Sequence, residues 1–560
     1  MSDPEKPEVL AASLFLRGLK ESGIDYIFAN AGTDFPSIIE ALAEGGESGH
    51  AFPEALTIPH ETVAVGMAHG YFLVTGRPQA VMVHVNVGLA NAAMGIINAA
   101  SDNAAMLICS GRTPVTEAGR TGSKSTPIHW GQEMRDQSAM VREVVKWDHE
   151  LRYPEQAGSA VARAASVAMS DPPGPVYLSL PREVLAEKVS AVDIPAFAPS
   201  RLGSAPEQAI KEAAQLLTAA ENPLIISQGV ATAEEFAALS AFAEKHGVPV
   251  AEFFATKLAL PSSHPANVGR NPSEWLSNAD VVLVVQSLVP WIPDQQSLRD
   301  GAKVIGISAD PLYKSTPIRE FPVDISLAGG VADTLLQLSN ALDAKPNAAA
   351  RLQTVAQFRS AQAESLSARV EAAKAMPMGP AWVSRCISDH LPKKAIVFNE
   401  LGVDAAFMNF DDALSYFSVP LSGGLGWGMT AALGAQLAAP DRQVVACIGD
   451  GSYMFANPVA CHQMARALNL PILTIVMNNG VWNAVRRATL HMYPDGKSAS
   501  ANIMPLTNLS PSPDHCLIAK AHGAYAEKVE SWEQLPQALG RALEVTKKGN
   551  QALLEVIVGY

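Results

Sequence analysis

The stretch VVACIGDGSYMFANPVACHQMARALNLPILTIVMNNG, residues 444–480, decides the fold. It begins with an apolar run, residues 444–448, that ends in Gly-Asp-Gly-Ser, and it closes with a second run, residues 472–477, that ends in Asn-Asn-Gly. Continuous Val, Ile and Leu without polar alternation is typical of strands buried on both faces of a parallel sheet. The amphipathic segment 458–468 between the runs predicts a crossover helix. The stretch therefore predicts a β-α-β unit of an α/β fold.

Polar side chains follow both strand ends of this unit, Asp450 after the first strand and Asn479 after the second. Neighbouring parallel strands place their carboxyl ends at one rim, where α/β sheets bind ligands. Carboxylate, amide and carbonyl oxygens suit Mg²⁺, which takes few protein ligands and completes its shell with phosphate oxygens and water. Gly449 and Gly451 let the backbone approach phosphates closely. Each motif alone is also a common turn, but the pair favours a site that binds a metal and a phosphate group.

Composition sets the class of protein. The 560 residues include 41 Lys and Arg against 55 Asp and Glu, which gives a net charge of −14. Such an acidic chain is not expected to bind nucleic acid. With 48% hydrophobic and 17% charged residues it is a folded protein with large buried cores. At roughly 150 residues per domain, the length predicts three or four domains.

Short apolar runs alternate with amphipathic helical segments along the whole chain, which predicts repeated α/β domains with parallel sheets. The predicted strands are residues 26–29, 80–84, 106–110, 176–179, 224–227, 281–285, 303–307, 395–398, 444–448 and 472–477. Pro- and Gly-containing linkers at 193–204 and 343–350 separate three blocks, at about 1–190, 200–345 and 370–560.

Localisation is predicted from three features. The first eight residues, MSDPEKPE, contain no apolar segment of the kind found in secretory signals. No apolar run reaches the roughly 18 residues needed to span a bilayer. The five cysteines lack metal-ligand spacing and fit reduced thiols in a cytoplasmic enzyme. They are Cys109, Cys386, Cys447, Cys461 and Cys516. We therefore expect a cytoplasmic protein without a membrane partner.

Gly-Asp-Gly, followed after 26 residues by Asn-Asn, resembles the cofactor motif of thiamine diphosphate (ThDP) enzymes. The whole chain resembles the acetolactate synthase, benzoylformate decarboxylase and pyruvate decarboxylase group. This resemblance implies ThDP and Mg²⁺ as cofactors. It implies that the three blocks are a pyrimidine-binding, a central and a diphosphate-binding domain. The implied metal ligands are Asp450, Asn479 and the Val481 carbonyl, with Gly449, Gly451 and Ser452 beside the diphosphate.

A second segment, PHETVAVGMAHGY at residues 59–71, resembles the catalytic-glutamate segment of the same group. Carried over, Glu61 bonds the pyrimidine nitrogen N1′. The chemistry is consistent, because loss of the C2 proton of thiamine needs a carboxyl group that shares a proton with the ring. A carboxylate at the start of a helix is also stabilised by the helix dipole, so a structural role for Glu61 is the alternative.

The third segment, SGGLGWG at residues 422–428, does not have the GxGxxG spacing of a dinucleotide site. By resemblance to the decarboxylases, the Gly423 carbonyl accepts from the 4′-amino group of the cofactor, and Leu425 supports its bent conformation. The alternative is an ordinary start of the helix predicted at residues 429–438.

Specificity is predicted from residues around these motifs. His84 lies 23 residues after Glu61, the offset of an active-site histidine in benzoylformate decarboxylase. It is expected to donate a proton or to orient a substrate carboxylate, with a structural strand-end histidine as the alternative. Thr33 and Gln132 are further catalytic candidates. The substrate-pocket candidates are Asp34, Trp291, Trp482, Ala484 and Ala488. For those that follow the second metal strand, core contacts of the next helix are the alternative.

Acetolactate synthases bind FAD in the central domain through an Arg-Phe-Asp-Asp-Arg stretch. At the matching place, after residues 281–285, this chain has QSLVPW instead. We therefore expect no FAD. The same stretch holds no clear match for the second active-site histidine of the decarboxylases, which argues against a plain benzoylformate decarboxylase.

Together these features predict a ThDP- and Mg²⁺-dependent 2-oxo-acid decarboxylase or carboligase that breaks or forms a C–C bond next to a carbonyl. Three alternatives stay open: an acetolactate synthase proper, which is a transferase; a 2-hydroxyacyl-CoA or oxalyl-CoA lyase; and a non-catalytic ThDP-binding scaffold. The resemblance also implies a homodimer or homotetramer with the active site at the subunit interface.

Overall fold

The computed structural model describes residues 7–48, 52–342 and 347–559. Residues 1–6, which belong to the N-terminal segment discussed above, and residues 343–346 of the second predicted linker lie outside this range. The chain forms two compact units. The first comprises Met1–Ser200, Pro420–Pro440 and Phe455–Leu470, and the second comprises Arg201–Val419, Asp441–Met454 and Pro471–Tyr560. The domain bounds drawn from the sequence stay a prediction.

The first part of the chain builds a six-stranded parallel sheet in the order β3-β2-β4-β5-β7-β6. A short antiparallel pair, β1 and β8, lies outside it. The elements are β1 Glu8–Leu10, α1 Ala11–Glu21, β2 Tyr26–Ala29, α2 Pro36–Ser48, β3 Glu54–Thr57, α3 Glu61–Thr75, β4 Ala80–Val83, α4 Val85–Ser101, β5 Leu107–Arg112, α5 Ile128–Gly131, β6 Asp148–Glu150, α6 Ala157–Met169, β7 Val176–Pro181, α7 Arg182–Ala186 and β8 Lys188–Ser190.

The middle of the chain forms a five-stranded parallel sheet in the order β10-β9-β11-β12-β13. Its elements are α8 Glu207–Ala219, β9 Pro223–Ser227, α9 Ala233–His246, β10 Val250–Glu252, α10 Ser273–Leu276, β11 Val281–Val285, β12 Lys303–Ser308, β13 Ile325–Ala328 and α11 Val331–Ala341. The long helix α12, Ala348–Ala372, follows.

The last part of the chain forms a second six-stranded parallel sheet in the order β15-β14-β16-β17-β19-β18. Its elements are α13 Pro380–His390, β14 Ile396–Glu400, β15 Tyr416–Ser418, α14 Trp427–Ala438, β16 Val444–Gly449, α15 Asp450–Phe455, α16 Pro458–Ala467, β17 Leu473–Asn478, α17 Asn483–Met492, α18 His515–Ala521, β18 Tyr525–Val529, α19 Leu535–Lys547 and β19 Ala552–Ile557.

The predicted fold class, α/β with three parallel sheets, is confirmed. The central strands were predictable because they are fully buried; β11, for example, is VVLVV with every residue buried. The sequence analysis missed strands at sheet edges, such as β6 with Asp-His-Glu and β3 with Glu-Ala-Leu-Thr. An edge strand faces solvent on one side and carries polar residues, so its sequence lacks the apolar run.

Burial also describes the cysteines and the helices. All five cysteines are free and buried, and burial raises the pKa of the Cys109 thiol to about 12. Among the described residues, no helix combines the length and the apolar character needed to cross a membrane.

Helices α3 and α14, both in the first unit, cross in close contact through glycines. A side chain on Gly66 would overlap Thr430, and one on Gly434 would overlap the Met67 carbonyl. Buried hydrogen bonds lie beside this crossing. Trp427 Nε1 donates to His69 Nδ1 at 3.1 Å, and His69 Nε2 lies 3.0 Å from Asp102. Small residues therefore set the distance between the helix that begins at Glu61 and the helix that follows the Gly-Gly loop.

We expect Gly70→Ala to destabilise the protein, because its new methyl group would overlap the backbone carbonyl of Ala431. Overpacking of this kind typically costs about 1–3 kcal/mol. Gly540→Ala is the matched control: Gly540 also lies within a helix, and its methyl group would meet open space, so helix propensity should make this variant slightly more stable. Denaturant unfolding of both variants measures the difference, and equal midpoints would contradict the tight crossing.

Candidate active site

Glu61 lies in the first turn of α3 and is only 8% exposed. His60 caps this helix, because its Nδ1 accepts a hydrogen bond from Thr62 N at 3.2 Å. Asn91, on α4, donates from Nδ2 to Glu61 Oε2 at 3.1 Å. A side chain at Gly88 would lie 3.2 Å from Glu61 Oε1. The carboxylate is thus held by one oxygen, and a glycine leaves room beside the other.

The predicted Gly-Gly loop is fastened to the same helix, α4. Asn98 Nδ2 donates to the Gly424 carbonyl at 2.9 Å, and Asn98 Oδ1 accepts from Gly424 N at 3.1 Å. The Ser422 hydroxyl donates to the same oxygen at 2.7 Å. Gly423 is exposed, has a positive φ of 69° and has open space around it, while Leu425 is half-buried. Asn98 therefore holds the loop through Ser422 and Gly424, the two neighbours of Gly423, while the Gly423 N–H donates to the Pro420 carbonyl at 2.9 Å.

Asn91 and Asn98 are functional candidates that the sequence analysis missed. They stand seven residues apart on α4, which is about two helical turns or 10 Å along one face. One holds Glu61 and the other holds the Gly-Gly loop, so α4 fixes the spacing of two predicted cofactor contacts. The available signal was weak: asparagines recurring at helical spacing among small apolar residues.

The prediction that His84 ends a strand is wrong. Strand β4 ends at Val83, and His84 is the N-cap residue of α4. Its Nδ1 lies 2.5 Å from Asp34 Oδ1, and its Nε2 lies 3.3 Å from Gln132 Nε2. The hydrogen bond to Asp34 raises the pKa of His84, against the opposing effect of burial. Three residues predicted separately are thus brought into one cluster.

Ion pairs hold the loop that carries Gln132. Glu133 accepts from Lys124 Nζ at 2.7 Å and from Arg112 Nη2 at 3.1 Å, which fixes the segment after α5. His129 is buried in α5, and burial, with the charges of Arg182 and Lys124, lowers its pKa. Thr33 is exposed next to the buried Asp34. From this loop the Gln132 amide reaches the His84 ring.

In the second unit, Asp450 follows β16, which runs parallel to β17 with Gly449 opposite Met477. The Asp450 side chain is 4% exposed, and its Oδ2 accepts from Gly480 N at 3.1 Å. Burial raises the pKa of Asp450, although backbone N–H groups of Gly451 and Gly480 partly oppose this shift. A buried carboxylate whose charge is disfavoured by burial is a group that a cation would stabilise.

The two asparagines of the motif have different environments. Asn478 is buried and donates from Nδ2 to Glu555 Oε1 at 2.7 Å. Its amide group is therefore used within the interior of the unit. Asn479 is half-buried, and its Oδ1 accepts only from Val481 N, at 3.0 Å, among the described residues. Its amide oxygen therefore keeps acceptor capacity for a ligand.

These residues fit a magnesium ion with a diphosphate. Asp450, Asn479 and the Val481 carbonyl offer three hard oxygen donors of the type that Mg²⁺ prefers. The space around Gly449 is open, since a side chain there would find no atom nearer than 3.8 Å. Gly451 is needed for another reason: a side chain would overlap the Trp482 ring. Ser452 is buried in the first turn of α15.

The predicted substrate-pocket residues differ in exposure. Trp482 packs on Gly451, and the exposed Ala484 and Ala488 belong to α17, a helix in which no residue is buried. Trp291 is 4% exposed and packs edge-on against Phe321, with ring centres 5.2 Å apart. It is a core residue of the central sheet, so it has no part in the function proposed below.

Comparison with known proteins agrees with this geometry. Three family descriptions of thiamine pyrophosphate (ThDP) enzymes match in order: the N-terminal TPP binding domain at residues 10–140, the central domain at 210–338 and the C-terminal TPP binding domain at 402–556. The probable 2-ketoarginine decarboxylase AruI of Pseudomonas aeruginosa is 28% identical over 563 residues, with 96% of this chain and 92% of that protein covered.

The sulfoacetaldehyde acetyltransferase of Roseovarius nubinhibens is 25% identical, with 100% of this chain and 94% of that protein covered. The crystal structure of benzoylformate decarboxylase from Polynucleobacter necessarius has the same fold, with a TM-score of 0.79 at 21% identity and 98% of each chain covered. The relatives named as a decarboxylase and an acetyltransferase agree with the predicted enzyme class, and the three TPP enzyme domains confirm the ThDP cofactor. Matched along its length by all three domain descriptions, the chain belongs to the thiamine pyrophosphate-dependent enzymes.

Proposed function

We propose that the protein is a Mg²⁺-dependent 2-oxo-acid decarboxylase that can also pass the remaining acyl group to a carbonyl acceptor. The observation that carries this proposal is His84, whose pKa is raised by its hydrogen bond to Asp34 and which lies close enough to Glu61 for the two charges to interact. When bound, ThDP supplies the carbon that takes up the carbonyl of the oxo acid and accepts the electron pair left by CO₂.

The chain's own residues divide the remaining tasks. Asp450, Asn479 and the Val481 carbonyl would hold Mg²⁺ and, through it, the diphosphate. The Gly423 carbonyl and Leu425 would contact the rings of the cofactor. Glu61, tied through Oε2 to Asn91, keeps Oε1 available to hold a proton for the pyrimidine ring.

His84 would supply the proton that completes decarboxylation. A raised pKa keeps a larger fraction of the imidazole protonated near neutral pH, and Nδ1 is already occupied by Asp34. The transferable proton is therefore the one on Nε2. A histidine in this role favours release of an aldehyde over transfer of the acyl group, which is why we place decarboxylation first. The P. aeruginosa and P. necessarius relatives named as decarboxylases support this order.

The test is a panel of 2-oxo acids, assayed for CO₂ and for carbon products with and without an acceptor aldehyde. We expect the wild-type protein to release CO₂ and aldehyde, and His84→Ala to lose about 10²–10⁴-fold in aldehyde formation, the usual worth of a general acid. A larger share of the product should then appear as carboligation product. His390→Ala, at an exposed histidine of α13, is the control and should behave as wild type.

Other outcomes contradict the proposal in distinct ways. CO₂ release that requires an acceptor would favour an acyl transferase, the activity named for the R. nubinhibens relative. Bound ThDP without turnover of any oxo acid would favour a non-catalytic scaffold.

The proposal includes assembly as a homodimer or homotetramer in which Glu61 and Asp450 of different subunits serve one cofactor. The support is the family resemblance, and the molar mass from light scattering tests the assembly; a monomer that turns over substrate would contradict it.

A further inference from the structure

The backbone around His84 and Asp34 leaves room for both side chains. Asp34 is 4% exposed, and two glycines make room for the pair. A side chain at Gly32 would overlap the His84 ring, and a side chain at Gly111 would overlap the Asp34 carboxylate. Two separate backbone segments, before α2 and at the end of β5, thus lack side chains where the Asp34–His84 pair lies.

Both carboxylate oxygens of Asp34 are used. Oδ1 lies 2.5 Å from His84 Nδ1, and Oδ2 accepts from Val85 N at 3.3 Å. Val85 has a φ of 32°, a left-handed conformation that a β-branched residue rarely adopts and that persists only where the surroundings hold it. The hydrogen bond to Oδ2 is one such constraint. Asp34 therefore fixes the backbone at the start of α4 as well as the ring of His84.

On the side of Nε2, the His84 ring lies next to the Gln132 amide, which can form a hydrogen bond with either protonation state of the ring. As placed, Gln132 Nε2 lies 3.3 Å from His84 Nε2, where it can donate to a neutral ring nitrogen. Gln132 Oε1 is buried and has no hydrogen-bond partner among the described residues. If the amide turns over, this oxygen accepts from a protonated Nε2. Gln132 can thus follow the gain or loss of a proton at Nε2 without moving its backbone.

We propose that Asp34 is a positioning residue, which fixes His84 with its proton on Nδ1 and thereby assigns the exchangeable proton to Nε2, facing Gln132. This inference rests on the proposed role of His84 in proton transfer, but its geometry does not depend on the substrate. Nothing in the sequence motifs pointed to a pair, since Asp34 and His84 are 50 residues apart.

The charged groups around His84 predict how its pKa changes when Asp34 is replaced. Asp34, on the loop before α2, raises the pKa of His84, and Glu61, on α3, adds to this effect, while burial opposes it. On the side of α5, His129 has a lowered pKa, and Lys124 and Arg182 contribute to that lowering. Asp34 is thus the main group that favours protonated His84. Its replacement by asparagine should lower the pKa of His84, so that activity which needs the protonated ring is lost at lower pH than in wild type.

The experiment is NMR of the full-length protein with ¹⁵N-labelled histidine, in which the His84 signals are identified by their absence in His84→Gln. We expect neutral His84 in the wild type to carry its proton on Nδ1. In Asp34→Asn, we expect the His84 titration and the alkaline limb of the kcat/KM profile to move together to lower pH. Asp102→Asn is the matched control, because it removes the charge of another buried Asp–His pair and should leave the His84 titration unchanged.

A neutral wild-type ring with its proton on Nε2 would overturn the proposal, and so would an unshifted titration in Asp34→Asn. If Asp34→Asn fails to fold, the wild-type tautomer decides alone. The tautomer is observed on the histidine itself, so absence of CO₂ release in the oxo-acid panel would count against the proposed function and not against the role of Asp34.

Discussion

Asp450→Ala is expected to abolish retention of ThDP. The carboxylate is buried at the end of β16, beside the end of β17, and it supplies the only negative charge among the three proposed metal ligands. Without it the diphosphate loses the ion that neutralises it. Loss of a residue that merely supports a metal ligand typically weakens metal binding 10- to 100-fold, so loss of the ligand itself should exceed about 100-fold.

Calorimetric titration of ThDP in the presence of Mg²⁺ measures this loss. Asp450→Asn separates charge from shape, because an amide oxygen can still accept from Gly480 N, as Asp450 does now; we expect it to lose cofactor as well. Asp441→Ala is the control, an exposed aspartate just before the same strand, and should bind normally. Wild-type affinity in Asp450→Ala would remove the metal assignment.

The second large effect is expected for Glu61→Gln, which should bind ThDP yet exchange its C2 proton with deuterium about 10²–10⁴-fold more slowly. This corresponds to roughly 3–5 kcal/mol of barrier. Binding is retained because the contacts proposed for the diphosphate lie in the second unit. The amide also preserves an oxygen to accept from Asn91, as Glu61 does, so the shape of the site around residue 61 should not change.

NMR of the bound cofactor in heavy water follows the exchange directly. Glu54→Gln neutralises an exposed carboxylate on β3, in the same unit, and should exchange at the wild-type rate. Exchange at the wild-type rate in Glu61→Gln would show that another group takes the proton, and the case for Glu61 as the activating residue would fall.

The layout of the fold was predictable because buried parallel strands have a plain signature. Strands β2 and β11 have the predicted bounds, β16 is one residue longer than predicted, and β17 is shifted by one residue at both ends. The start of α4 was not predictable. Its first turn, Val-Asn-Val-Gly, contains residues of low helix propensity. The hydrogen bond that Val85 N donates to Asp34 joins residues that are 51 positions apart in the sequence.

The site was predictable where one segment carries the chemistry and hidden where it depends on distant partners. Glu61 and Asp450 belong to short motifs, whereas Asn98 acts on Gly424 from 326 residues away. Likewise, only the structure separates Asn478, which bonds to Glu555, from Asn479. Trp291, a substrate-pocket candidate, packs its ring against Phe321 within the central core, a placement that follows from burial and not from any motif.

The attachment of both Glu61 and the Gly-Gly loop to α4 affects the thermodynamics of cofactor uptake. Immobilising a flexible side chain on binding typically costs about 0.5–1.5 kcal/mol. Asn91 and Asn98 hold these two contacts by hydrogen bonds within the chain itself. Because these hydrogen bonds belong to the fold, part of the loss of conformational entropy is counted in the free energy of folding and not in the free energy of binding ThDP.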